Sequence, residues 1–137
     1  SFTFAEEMKT GWTFTCEWKG AIPLPPEYTF PQAFNYLNPD TNSFYILESP
    51  SGDYLQLGGS KERCTVEHRV LRADSYDHFV LGKRDGKYGW TTIKMSQGEV
   101  TVAEREVFRH WDAIELFKRF FAGESFPDDI VSRRTEL

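Results

Sequence analysis

Apolar and polar positions along the chain divide it into a series of short strands followed by one helix. In "WTFTCEW" (12–18), Trp12, Phe14, Cys16 and Trp18 fall on one side and Thr13, Thr15 and Glu17 on the other. That period of two belongs to a half-buried strand. "GAIPLPPEYTFP" (20–31) follows, and its prolines cannot donate to a ladder, so a loop or an arm along a sheet edge is expected. Pro31 is placed to open a short helical turn, "PQAFNYL" (31–37), closed by Asn38-Pro39.

From Ser43 the pattern becomes regular. "SFYILES" (43–49) is a strand, "PSGD" (50–53) a turn and "YLQLGG" (54–59) the returning arm of a hairpin. In "RCTVEHRV" (63–70), Cys64, Val66, His68 and Val70 face one way and Arg63, Thr65, Glu67 and Arg69 the other. "RADS" (72–75) turns the chain into "YDHFVLGK" (76–83), and the Asp-Gly of "RDGKYG" (84–89) into "WTTIKM" (90–95). "SQGE" leads to the short strand "VTVAE" (100–104). Short strands with short turns predict an antiparallel meander.

The period then changes. In "HWDAIELFKRFFAG" (110–123), Ala113 or Ile114, Phe117, and Phe120 or Phe121 recur at three and four residues, the apolar face of a helix over Trp111–Ala122. Asp112 and Glu115 in its first turn and Lys118 and Arg119 in its last suit the helix dipole, and Glu115 can pair with Arg119. Gly123 ends it and Pro127 prevents resumption. "DDIVSRRTEL" (128–137) is left as an edge strand or a tail. The expected fold is α+β: one domain, an antiparallel β-meander sheet with one C-terminal α-helix packed on a face. Residues 1–42 form its less regular strand and Pro-rich arm, and residues 43–137 the meander and helix.

Composition narrows the function classes. At 137 residues one domain can bury a real core. No apolar run approaches the roughly 20 residues of a membrane helix, and "SFTFAEEMKT" has neither the basic nor the apolar part of a secretion signal. Cys16 and Cys64 are too few and too far apart for a disulfide scaffold or a zinc knuckle, so two free thiols in the cytoplasm are expected. A net charge of −5 disfavours direct nucleic-acid binding and suits a basic partner.

The chemistry-bearing residues are sparse. If "RCTVEHRV" and "YDHFVLGK" form a hairpin with a five-residue loop, His68 lies opposite His78. Cys64 sits about 13 Å along the strand from His68, too far to complete a metal site or to act as its nucleophile. Gly58-Gly59 precedes a strand and not a helix, so a turn or bulge is expected rather than a phosphate loop. No cofactor or metal is implied.

What remains is surface. Four Trp are more than a core of this size readily hides, and Trp and Tyr are favoured interface anchors. Asp53, Asp74, Asp77, Asp85, Glu124, Asp128 and Asp129 fall in predicted turns, at strand starts or after the helix, where they would steer a basic partner. Tyr88 and Trp90 are the first candidate anchors, then Tyr54 and Asp53, with Asp77 and Asp85 as candidate rim charges.

The segments "SGDYLQLGGSKERCTVEHRV", "HFVLGKRDGK" and "EVFRHWDAIELFKRFFAGESFPDDI" resemble small immunity proteins of bacterial polymorphic toxin systems. The shared features are a Tyr-x-Gln strand ending in Gly-Gly, a Thr-Val-Glu-x-Arg strand, and an Ala-Ile-x-x-Phe helix followed by Gly-Glu and Pro. The resemblance covers Ser43 to Leu137. Where such proteins often carry a Trp in the final strand, "IVSRRTEL" has Arg133 and Arg134. It implies a non-enzymatic inhibitor that blocks the active site of one cognate toxin effector, such as a nuclease or a nucleic-acid deaminase. Two other readings are a small enzyme using His68 and His78, and an intracellular adaptor or ligand-binding domain with a pocket lined by Phe117, Phe120 and Phe121.

Overall fold

A computed structural model describes residues 11–23 and 29–135; the middle of the Pro-rich arm and the last two residues of the C-terminal segment lie outside them. The strands are β1 (Thr13–Cys16), β2 (Gly20–Ala21), β3 (Phe44–Glu48), β4 (Tyr54–Gly59), β5 (Cys64–Leu71), β6 (Tyr76–Lys83), β7 (Trp90–Met95), β8 (Gly98–Ala103) and β9 (Ile130–Thr135). The helices are α1 (Thr29–Phe34) and α2 (His110–Ala122), with a 3-10 turn at Glu104–Glu106. The fold is the expected α+β one, an antiparallel sheet with a long helix across one face. Among the described residues no helix is long and apolar enough to cross a membrane.

The sheet has seven strands in the order β2-β1-β3-β4-β5-β6-β9, and every pairing is antiparallel. Its inner face carries Phe14, Cys16, Tyr45, Leu47, Leu55, Leu57, Cys64, Val66 and Leu81, all buried against the two helices. From α2 come Ala113, Leu116, Phe117 and Phe121, one face at spacings of three and four. From α1 come Phe30 and Phe34, four residues apart, which meet Phe117 edge-on at 5.8 and 4.9 Å. Edge-to-face rings suit the aromatic quadrupole, so much of the aromatic content lies here. Gly123 takes φ 75°, and the Glu124 amide reaches back to the Arg119 carbonyl at 2.9 Å, closing α2.

The meander departs from expectation after β6. β7 and β8 leave the sheet and form a separate hairpin, and β9 takes the place beside β6. Each hairpin strand buries one apolar side chain, Ile93 or Val102, against Val80, with Met95 and Val107 packed alongside. The outer face accepts this layer because it is flat there. Gly58 pairs with Thr65, and a Cβ on Gly58 would come within 2.7 Å of Met95 Cε. A Cβ on Gly59, at φ 125°, would lie 2.5 Å from the Arg63 carbonyl oxygen and 2.7 Å from Ile93 Cγ2. The Gly-Gly pair is therefore a close-packing site as well as a turn.

Among the polar contacts that fasten the hairpin, two are built on a glutamate. Glu17 accepts from the Ser43 amide and hydroxyl, both at 2.8 Å, and from the Ser96 hydroxyl. These bonds, the one from Ser96 foremost, hold its carboxyl below the usual range. At the other end Glu106, 2% exposed, accepts from the Ala103 amide at 2.7 Å. It also takes a bidentate pair from Arg133 of β9 at 2.8 and 2.9 Å, which raises the Arg133 pKa.

Candidate protein interaction face

The β5–β6 turn decides which side chains can meet. Leu71 pairs with Tyr76, so the connection is Arg72–Ser75, closed by the Arg72 amide on the Ser75 carbonyl at 2.7 Å. It is one residue shorter than the five-residue loop expected, and a slip of one residue exchanges the faces. His68 therefore pairs with Phe79 and His78 with Arg69, which corrects the opposition of the two histidines. They lie on opposite faces of the sheet.

His68 faces inward, its ring 5.6 Å from Phe120 and 5.4 Å from Phe126, and burial lowers its pKa. His78 faces outward and bonds Glu67 at 3.1 Å, while its Nδ1 is buried without a partner among the described residues. A site built jointly from the two histidines is ruled out by this register. Nor does Cys64 offer a ready nucleophile: it is buried, burial pushes its thiol up to about 12, and it donates to the Phe108 carbonyl at 3.3 Å. Among the described residues no three His, Cys, Asp or Glu side chains converge as a metal site would require. Phe117 and Phe121 are buried and Phe120 packs against the same core, so these rings fill the sheet–helix interface in place of the expected pocket.

The outer face has more to offer. Beyond the hairpin a row of paired positions, Thr13, Glu48, Tyr54, Arg69, His78 and Thr135, crosses β1, β3, β4, β5, β6 and β9. All but His78 keep partial exposure. At its centre the Arg69 guanidinium lies 4.3 Å from the ring centre of Tyr54 and 5.4 Å from that of Tyr76. It also pairs with Glu48 at 3.2 Å and donates to the Gly52 carbonyl at 3.2 Å. Burial raises the Tyr54 pKa despite Arg69 beside it. Tyr76 and Leu71 remain 45% and 48% exposed at the margin.

The sequence-based candidates fall into two groups around this face. Asp53, Tyr54 and Asp77 lie at the end of the sheet holding the β5–β6 turn. Asp53 accepts from the Leu71 amide at 2.7 Å, locking the β4–β5 pairing. Asp77 is held by Arg72 at 2.9 Å and Arg134 at 2.8 Å, which keep its carboxyl below the usual range, the Arg72 bond most of all. Both carboxylates thus serve the fold. Asp85, Tyr88 and Trp90 lie beside β9 and the start of β7, all exposed, with Tyr88 at 90% and Trp90 at 65%. Their surroundings are cationic: Arg105 lies 4.9 Å over Tyr88 and Arg133 lies 5.2 Å over Trp90. Arg133 is two residues from Thr135 on β9, so Trp90 borders the Tyr54–Arg69–Tyr76 strip.

Sequence reasoning passed over Arg69, Tyr76, Glu48, Arg105 and Arg133. The alternation of "RCTVEHRV" already placed Arg69 on the polar face. Tyr76 shares that face only once the turn length is known. Compared with models of known protein families and with curated proteins, the chain finds no match in either.

Proposed function

We propose that this protein works by covering another protein's active surface, as an immunity protein that binds a cognate bacterial toxin effector domain and occludes its catalytic site. The observation that carries the reading is the uncovered strip of the outer sheet face, with Arg69 stacked between Tyr54 and Tyr76 at its centre and Trp90 at its border. Tyr, Trp and Arg are the side chains that most often dominate binding energy. The strip crosses six strands, about 24 Å at roughly 4.8 Å per strand spacing, a length that can form the central row of a standard interface of about 1,600 Å² in total. Arg69 is already ordered by Glu48, Gly52 and two rings, so docking there sacrifices little side-chain freedom.

The test is co-expression with the product of the gene immediately upstream in the host. Growth arrest by that product should be relieved by this protein, and the two should co-purify. Tyr54→Ala and Arg69→Ala should each weaken the complex about tenfold or more, or about 1.4 kcal/mol. Electrostatic steering belongs to the exposed carboxylates Asp74 and Asp85, whose reversal should slow association and reduce its salt dependence. Turnover of a substrate by the isolated protein, or strip variants that protect as well as the wild type, would defeat the proposal.

A further inference from the structure

The strip ends at β9, and β9 is an edge. On the side away from β6 no strand pairs with Ile130–Thr135 among the described residues. Beside that edge runs a groove of about 330 Å³ whose walls include Tyr88 and Trp90 from the hairpin, Lys87 and Arg105, and Val131 and Arg133 from β9. We propose that this groove takes an extended acidic segment of a partner polypeptide, which adds as a strand to the free edge of β9.

Three observations select this occupant. First, the groove lining carries Lys87, Arg105 and Arg133 against a single carboxylate, Glu106, a balance opposite in sign to that of the whole chain. Arg84, Lys87 and Arg105 have no carboxylate within ion-pair distance among the described residues. Among the described residues, the Arg84 and Arg105 side chains donate only to backbone carbonyls, of Asp128 for the first and of Arg84 and Gly86 for the second. The charge of the buried Glu106 is already matched by its bidentate pair with Arg133. Second, Tyr88 and Trp90 stand exposed beside these cations and give alternate side chains of an added strand an apolar wall, as in strand-addition recognition. Third, an open strand edge offers amides and carbonyls that a polypeptide backbone is built to meet.

A second copy of this chain fits poorly. Antiparallel pairing of β9 with itself would set Arg133 and Arg134 of one copy beside those of the other. A nucleic-acid strand could stack on the two rings, but it would leave the edge amides unused and approach a protein of net charge −5.

The inference adds the chemistry of the docked segment to the inhibitor reading, and it is tested with peptides alone. Peptide binding can fail while protection in cells holds, and the reverse. The probes are a labelled alternating Glu-Val peptide, the same peptide N-methylated at alternate residues, an alternating Lys-Val peptide and an oligothymidylate. The readouts are fluorescence anisotropy and amide hydrogen exchange. The Glu-Val peptide should bind, lose affinity as salt rises, and slow exchange in Ile130–Thr135. Lys87→Glu, a change at an exposed side chain, should weaken that binding several-fold. No binding of the Glu-Val peptide would overturn the proposal. So would equal binding of its N-methylated form or of the Lys-Val peptide, or tighter binding of oligothymidylate.

Discussion

Replacing Arg133 with Met should cost the fold far more than replacing Glu106 with Gln, although both break the same ion pair. The partners differ in exposure: the Glu106 side chain is 3% accessible and that of Arg133 39%. Without Arg133, Glu106 keeps only the Ala103 amide at 2.7 Å and is left as a buried carboxylate, a loss of about 3–5 kcal/mol. The stack on Trp90 goes too, worth about 0.5–1 kcal/mol at an exposed site. Without the Glu106 charge, Arg133 turns to water, and Gln still accepts from Ala103, so about 1 kcal/mol is expected.

Urea midpoints followed by tryptophan fluorescence and circular dichroism measure both costs. Equal costs for the two variants would show that the pair does not govern the docking of β9 against the hairpin.

His68 gives the stability a dependence on pH. Burial lowers its pKa from 6.5, with the Asp53 charge opposing and His78 assisting. A depressed histidine gives stability that is present above the unfolded pKa and lost as pH falls. His68→Leu, volume-matched against Phe120 and Phe126, should flatten the stability profile below about 6.5, and an unchanged profile would remove His68 from the account. Both thiols are buried, so a thiol reagent should label neither Cys16 nor Cys64 in the native protein and both on unfolding; fast labelling of the folded protein would contradict the core described. Gly59→Ala must contend with φ 125° and a carbonyl oxygen at 2.5 Å, whereas Gly58→Ala meets only the flexible end of Met95 at 2.7 Å. Thermal unfolding should rank Gly59→Ala as the more harmful, by roughly 1–3 kcal/mol from the backbone alone.

The fold class was legible because it rests on local periodicity. Period-two runs marked β1 and β3 to β6, and the three-and-four spacing of Ala113 or Ile114, Phe117, and Phe120 or Phe121 marked α2 to within one residue of its start. The placement of β7 and β8 was not legible, because it depends on where apolar surface is left uncovered. "WTTIKM" and "VTVAE" alternate well enough to be strands, but each buries a single side chain, which suits a cap better than a sheet member. The clue lay in another strand, where Gly58 and Gly59 leave room for Met95 and Ile93. The register of the histidines was missed for a related reason. One residue in the length of the Arg72–Ser75 turn decides the face of every side chain on β6, and neither arm's alternation reveals that length.

The candidate interface shows how far a charge count carries. A total of −5 describes how the whole molecule repels or attracts at long range, and on that basis a basic partner was expected. Contact is decided by individual groups once the fold has used some of them. Asp53 is committed to the Leu71 amide and Asp77 to two arginines, while Lys87 and Arg105 stand with Tyr88 and Trp90 along one groove and have no carboxylate within ion-pair distance among the described residues. A partner drawn in by Asp74 and Asp85 would therefore meet cations at the aromatic anchors, and a uniformly basic surface would be repelled there. The docking surface that fits best is itself mixed in sign, with positive charge opposite the exposed turns and an acidic segment against β9. Reversing Lys87 and reversing Asp85 should then act on different steps, the first on the lifetime of the complex and the second on its rate of formation. Kinetics in which both reversals changed only the association rate would mean that the hairpin aromatics lie outside the contact.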